Sequence, residues 1–132
     1  MRSYEKLDRF YDAVMGDRTE MAVYIRRLIR QHKPDGKTLL ELACGTGGIL
    51  QILAKSYDVV GLDRSPQMLS IARKKLPQIK FFQRNMVSFD LGQKFDVIIF
   101  AASIQYFASL DAILSLAMHH LETGGEIHLL DI

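Results

Sequence analysis

From Lys37 onward, short apolar runs alternate with stretches of helical periodicity, and this alternation restricts the chain to an α/β architecture. The runs are Thr38 to Ala43, Asp58 to Leu62, Ile79 to Phe82, Phe95 to Phe100 and Glu126 to Leu130. Helical patterns fall near Gly48 to Lys55, Pro66 to Leu76 and Leu110 to Leu121, while Gln83 to Lys94 reads as irregular. Runs without strict alternation belong to a parallel sheet covered on both faces. Each crossover is then right-handed. The expectation is a doubly wound, mostly parallel sheet of about five strands in the order 3-2-1-4-5. Its switch point, and with it a ligand crevice, lies between the first and fourth strands at their carboxyl ends.

Two helices are expected upstream. Leu7, Phe10, Tyr11 and Val14 share one helical face, and Gly16-Asp17 breaks the pattern. Thr19 reads as the N-cap of a second helix striped by Met21, Ile25, Leu28 and Ile29. Lys33-Pro34-Asp35-Gly36 ends it. The expected organisation is one compact domain, with an N-terminal helical lid over residues 1–36 and a core over residues 37–132.

Composition removes several function classes. At 48% hydrophobic and 24% charged residues the chain is an ordinary globular sequence rather than a disordered or fibrous one. The longest apolar run, Val97 to Ala102, is far shorter than the ~20 residues of a membrane helix. The amino-terminal stretch has no apolar core and does not read as a secretory signal. The lone Cys44 excludes an internal disulfide, and no Cys/His spacing supports a metal. A net charge of +2 gives no argument for nucleic acid, and Arg26-Arg27, Arg30 and Arg73-Lys74-Lys75 read as solvated helix surface. The expectation is a cytoplasmic protein with no membrane and no nucleic-acid partner.

The first strand runs into Cys44-Gly45-Thr46-Gly47-Gly48. A glycine turn between strand and helix lets backbone approach a ligand and turns helix N–H groups toward the crevice. The second strand ends at Gly61-Leu62-Asp63, 22 residues after Glu41. A carboxylate at that tip can accept hydrogen bonds from both hydroxyls of a ribose. The pair points to a nucleoside-containing cofactor. The dinucleotide fingerprint does not fit, because Leu50 stands at its third small position, and no Gly-Lys-Ser/Thr of a phosphate loop follows.

Glu41-Leu42-Ala43-Cys44-Gly45-Thr46-Gly47 resembles the first motif, E/D-x-G-x-G-x-G, of the class I (Rossmann-like) S-adenosylmethionine-dependent methyltransferases, with Ala43 in place of the first glycine. Gly61 to Leu69 resembles the second motif, G-x-D-x-S-x-x-M-L. Asn85-Met86 falls where the family has an acidic residue and then a small or apolar one. Phe95-Asp96-Val97-Ile98-Ile99 resembles the fourth-strand motif, and Leu121 to Gly125 the L-x-P-G-G turn, with Thr123 for proline. The match extends over residues 37–132 and resembles bacterial small-molecule enzymes.

The resemblance implies roles. S-adenosylmethionine is the cofactor, S-adenosylhomocysteine the product and a small molecule the methyl acceptor at O, N or C. Backbone at Ala43, Gly45, Thr46 and Gly47 holds the methionine part. Glu41 orients the loop or holds the cofactor ammonium through water. Asp63 takes the ribose, Arg64 and Met68 flank the adenine, Asn85 meets its amine, and the Met86 N–H a ring nitrogen. Ala101 and Ser103 border the cofactor's amino-acid end and open onto the acceptor. Transfer from a sulfonium is an in-line displacement that needs mostly positioning. No catalytic dyad is evident, and Tyr11, Tyr106 and His128 are the weak candidates for a proton acceptor.

Plainer roles stand beside these. Gly45 and Gly47 make a tight turn, Asp63 caps the helix at Ser65-Pro66, Asn85 makes a turn, and Met68 and Tyr11 pack. Cys44 is a small packed residue, His119-His120 closes a helix with a cation at its negative end, and His32 is a solvated cap. The family carries two more strands after the fifth, so the core reads as truncated at Asp131-Ile132. The apolar Ile127-His128-Leu129-Leu130 edge then needs a cover. A dimer, another partner, or more of the same protein would supply it. The alternative functions are a non-catalytic or partner-dependent cofactor-binding module and, further off, a nucleic-acid methyltransferase.

Overall fold

Side chains that alternate across parallel strands divide the apolar residues into two layers. The computed structural model describes residues 18–102 and 108–131. Strands β1 (Thr38–Leu42), β2 (Asp58–Asp63), β3 (Lys80–Gln83), β4 (Phe95–Ala102) and β5 (Leu121–Asp131) form one sheet in the order β3-β2-β1-β4-β5. All pairings are parallel. Leu39, Val97 and Ile99 face one side. There they pack on Ala22, Ile25 and Ile29 of α1 (Thr19–His32), on Ile49, Leu50 and Leu53 of α2 (Gly48–Leu53), and on Leu69 and Ala72 of α3 (Pro66–Lys75). Leu40, Leu42, Ile98 and Phe100, one residue out of step, face Ile113 and Ala117 of α4 (Leu110–His119). Met86 and Phe89 of the irregular connection complete that layer. Each fully buried Leu, Ile or Phe contributes about 1.5–3 kcal/mol, so both layers are essential.

The expected sheet order is the observed one. Three local readings differ. Thr19 is the first residue of α1 rather than its cap; Arg18 stands at the cap position, and its own side chain makes no capping hydrogen bond. The fifth strand is longer than Glu126 to Leu130, because Leu121 already pairs with Phe95. Pairing then resumes at Val97 with Glu126, so the Gly124-Gly125 turn is an irregularity inside the strand. His120 is buried rather than a cation at a helix end. Its Nε2 accepts the Leu91 N–H at 3.1 Å, so the proton sits on Nδ1, 2.7 Å from the Leu116 carbonyl. The ring thus ties the irregular connection to α4. The proposed helix through Leu7, Phe10, Tyr11 and Val14 lies outside the described residues.

Two backbone devices hold the sheet ends. At the amino end, Asp96 Oδ2 accepts the Lys37 N–H at 2.8 Å and the Thr38 N–H at 3.1 Å. The Asp96 N–H in turn donates to Thr38 Oγ1 at 2.9 Å. The Lys37 N–H foremost, with the other bonds, holds the Asp96 carboxyl below the usual range. At the carboxyl end, Ser65 caps α3 by accepting the Met68 N–H at 3.1 Å, with Pro66 in the first turn.

Candidate functional site

The carboxyl ends of β1 and β2 are joined by a short ladder that runs past the strands themselves. The Cys44 N–H donates to the Leu62 carbonyl at 3.1 Å. One residue on, the Gly45 N–H donates to Asp63 Oδ2 at 2.8 Å. The other Asp63 oxygen, Oδ1, accepts the Ser65 N–H at 2.9 Å. Asp63 therefore bridges the glycine loop and the start of α3. Each of its oxygens keeps a lone pair, and the side chain is only partly buried, so the carboxylate can still accept from a ligand. The helix cap itself is Ser65, and Asp63 holds that cap residue in place rather than capping the helix.

The loop turns through positive φ at Ala43 (56°), Gly45 (59°) and Gly47 (85°). For Ala43 this conformation costs about 1–2 kcal/mol relative to the right-handed one. Gly47 has no alternative: a Cβ there would lie 2.8 Å from Leu76 Cδ1. A Cβ at Gly45 meets nothing within 4 Å, so this part of the loop faces open space. Thr46 is buried between the two glycines. Gly61, on β2 beside Glu41 and Phe81 in the register, would bring a Cβ within 2.7 Å of the Phe81 ring and 2.8 Å of Cys44 Sγ. Its bareness lets Phe81 and Cys44 pack behind the loop.

Glu41 lies on β1 two residues before Ala43 and is 3% exposed. Its Oε1 has no hydrogen-bond partner among the described residues. Burial pushes its carboxyl well above the usual range; Arg18 opposes this and Asp63 adds to it. Arg18, absent from any motif, also flanks the loop, since a Cβ on Gly48 would lie 3.1 Å from its Cγ. Burial, followed by Glu41 and Asp63, likewise pushes the Cys44 thiol up, which suits a packed residue and not a nucleophile. The site is thus an open backbone cradle flanked by two carboxyl groups, a surrounding suited to a cationic ligand with vicinal hydroxyls.

The other expected residues distribute unevenly. Met68 is half-buried at the start of α3, and Arg64 is exposed. Asn85 is exposed, and its Oδ1 already accepts the Val87 N–H at 3.0 Å, the plain turn reading. Met86 buries its side chain with Phe89 and Leu62. Ala101 is buried at the end of β4. His128 stands apart from the loop: its Nε2 is 3.3 Å from Glu126 Oε1 and its ring is 6.4 Å from that of His32. These three residues, with Leu28 and Ile127, line a surface groove of about 380 Å³. Tyr11, Ser103 and Tyr106 lie outside the described residues.

The comparisons with known proteins agree with this geometry. Residues 39–125 match the family model described as a methyltransferase domain. A dTDP-3-amino-3,4,6-trideoxy-alpha-D-glucopyranose N,N-dimethyltransferase of Streptomyces venezuelae is 36% identical over 125 residues, 91% of this chain and 53% of that protein. A trans-aconitate 2-methyltransferase of Acidovorax ebreus (strain TPSY) is 31% identical over 118 residues, 87% of this chain and 45% of that protein. Among solved structures, a SAM-bound amino pentose methyltransferase from Micromonospora echinaspora involved in calicheamicin biosynthesis superposes with a TM-score of 0.84 at 32% identity. That alignment covers 91% of this chain and 55% of the other. The chain spans about half the length of the relatives it matches. It belongs to the methyltransferase domain family, with the class I Rossmann-like fold.

Proposed function

We propose that the chain binds S-adenosylmethionine at the carboxyl ends of β1, β2 and β4 and serves methyl transfer to an O, N or C atom of a small molecule. The observation that carries this is the Gly45 N–H bond to Asp63, which brings the glycine loop and the ribose-type carboxylate into one cradle. The open face at Gly45 and the orphaned Oε1 of Glu41 fit such a cofactor. When bound, the cofactor supplies a methyl group on a positively charged sulfur. Ala43, Gly45, Thr46 and Gly47 hold its methionine end, with Glu41 behind them. Asp63 accepts the ribose hydroxyls through its free lone pairs. Met68 and Arg64 flank the adenine, and Asn85 and Met86 close its edge. Ala101 and Ser103 border the cofactor's amino-acid end and open onto the acceptor, and residues 1–36 serve as the lid.

The relatives act on a nucleotide-linked amino sugar and on trans-aconitate, so an amine of a nucleotide-linked sugar is the first acceptor to test. We place the protein in the cytoplasm; among the described residues no helix is long and apolar enough to cross a membrane. We further propose that the β5 edge is covered by a second copy, another partner or more of the same protein. The alternative is a cofactor-binding module that does not complete the reaction alone. Methyl-labelled S-adenosylmethionine offered with dTDP-amino sugars, trans-aconitate and related small acids decides between them. Label in a small-molecule product is the expected result. Binding without transfer to any acceptor selects the alternative.

A further inference from the structure

Glu41 resolves into more than a cofactor contact, and this step rests on the function proposed above. Its side chain lies on the sheet face that α1, α2 and α3 cover, in the same layer as Leu39. Its neighbours in the register are Gly61 on β2 and Ile99 on β4, and neither side chain offers a donor. Among the described residues, the charged and titratable groups that act on it are Arg18 ahead of α1, Asp63 at the tip of β2 and the Cys44 thiol in the loop. A buried oxygen with no donor is a poor place for negative charge, because neither solvent nor a hydrogen bond compensates it. Asp63, with an N–H on each oxygen, is the better place. Of two neighbouring carboxyl groups, one then keeps the charge and the other the proton.

We infer that Glu41 holds a proton in the cofactor-free protein and gives it up to solvent when the cofactor's ammonium group enters the loop. The O–H bond of the Glu41 carboxyl breaks, its electron pair stays on oxygen, and the proton goes to buffer. The ammonium keeps all its protons, so the arriving cation replaces the departing one. Glu41 is a positioning residue in this scheme: its new charge fixes the methionine end in place.

Calorimetric titration of S-adenosylhomocysteine into the full chain tests this, in pairs of buffers with different ionisation enthalpies, from about pH 6 to about pH 8. The difference in heat between paired buffers counts protons directly. Release of up to one proton is expected, with affinity rising as much as about tenfold per pH unit where release is fullest. Glu41→Gln should bind with no release and with affinity flat over the same range. 5′-Methylthioadenosine, which lacks the ammonium, should bind the unaltered chain without release. Equal heats in both buffers at every pH overturn the inference. So does release that persists in Glu41→Gln, or equal release with 5′-methylthioadenosine. No heat with any of these ligands overturns the cofactor reading itself, a result distinct from binding without proton exchange.

Discussion

Replacing Asp63 with asparagine separates its observed bridging of the loop from the ribose contact we propose for it. The two N–H donors it receives go to different oxygens, Gly45 to Oδ2 at 2.8 Å and Ser65 to Oδ1 at 2.9 Å. An amide has one acceptor oxygen, so one of the two N–H groups loses its partner whichever way the side chain turns. Leaving a donor unpaired costs about 1–3 kcal/mol. The surviving bond loses charge assistance, about half its strength. Partial exposure lets water recover some of this, so we expect a net loss of about 2 kcal/mol. For a domain of this size, that lowers the melting temperature by about 6–10 °C. Affinity for S-adenosylhomocysteine should fall about 10- to 100-fold, the equivalent of one charge-assisted bond to a ribose hydroxyl. Differential scanning fluorimetry and calorimetric titration read the two effects separately. A melting temperature within about 1 °C of the parent would refute the bridging argument. Unchanged affinity would refute the ribose assignment.

Asp96 supplies the contrast, because both of its N–H donors reach the same oxygen. Asp96→Asn can keep both bonds and loses only their charge assistance, about 1 kcal/mol at neutral pH, with cofactor affinity unchanged. Its carboxyl sits below the usual range in the fold, so the stabilisation is full above the unfolded value and fades as pH falls through the lowered one. Urea denaturation should therefore show the two proteins converging below about pH 4. Gly61→Ala places a methyl 2.7 Å from the Phe81 ring and 2.8 Å from Cys44 Sγ. It should cost about 1–3 kcal/mol. Adding Phe81→Leu should then cost less than it does in the parent, and strict additivity in the double-mutant cycle would contradict the packing described.

The sheet was legible because its strands are apolar runs bounded by Gly, Pro and Asp, and a parallel α/β pattern admits few orders. The glycine loop and its juxtaposition with Asp63 were legible because a strand-to-helix turn of positive φ demands small residues and the parallel order sets the tips of β1 and β2 side by side. Other features depend on partners distant in sequence. His120 reads as a helix-end cation until the Leu91 N–H, 29 residues away, is found on its ring. Arg18 carries no motif, yet among the described residues it is the cation that acts on Glu41. The irregularity in β5 arises from pairing with Phe95 and Val97, which the local Gly124-Gly125 signal masks. Ala43 shows that a residue can match a motif by size and still carry a backbone cost through its φ of 56°.

The central claim is that the cofactor occupies the cradle between β1 and β2, and amide chemical-shift mapping with S-adenosylhomocysteine tests it most directly. We predict the largest shifts at Ala43 to Gly47, Asp63 to Met68, and Asn85-Met86, with the Asp96 end of the sheet unmoved. Shifts confined instead to the groove of about 420 Å³ lined by Phe89, Lys94, Leu116 and His120 would contradict the account.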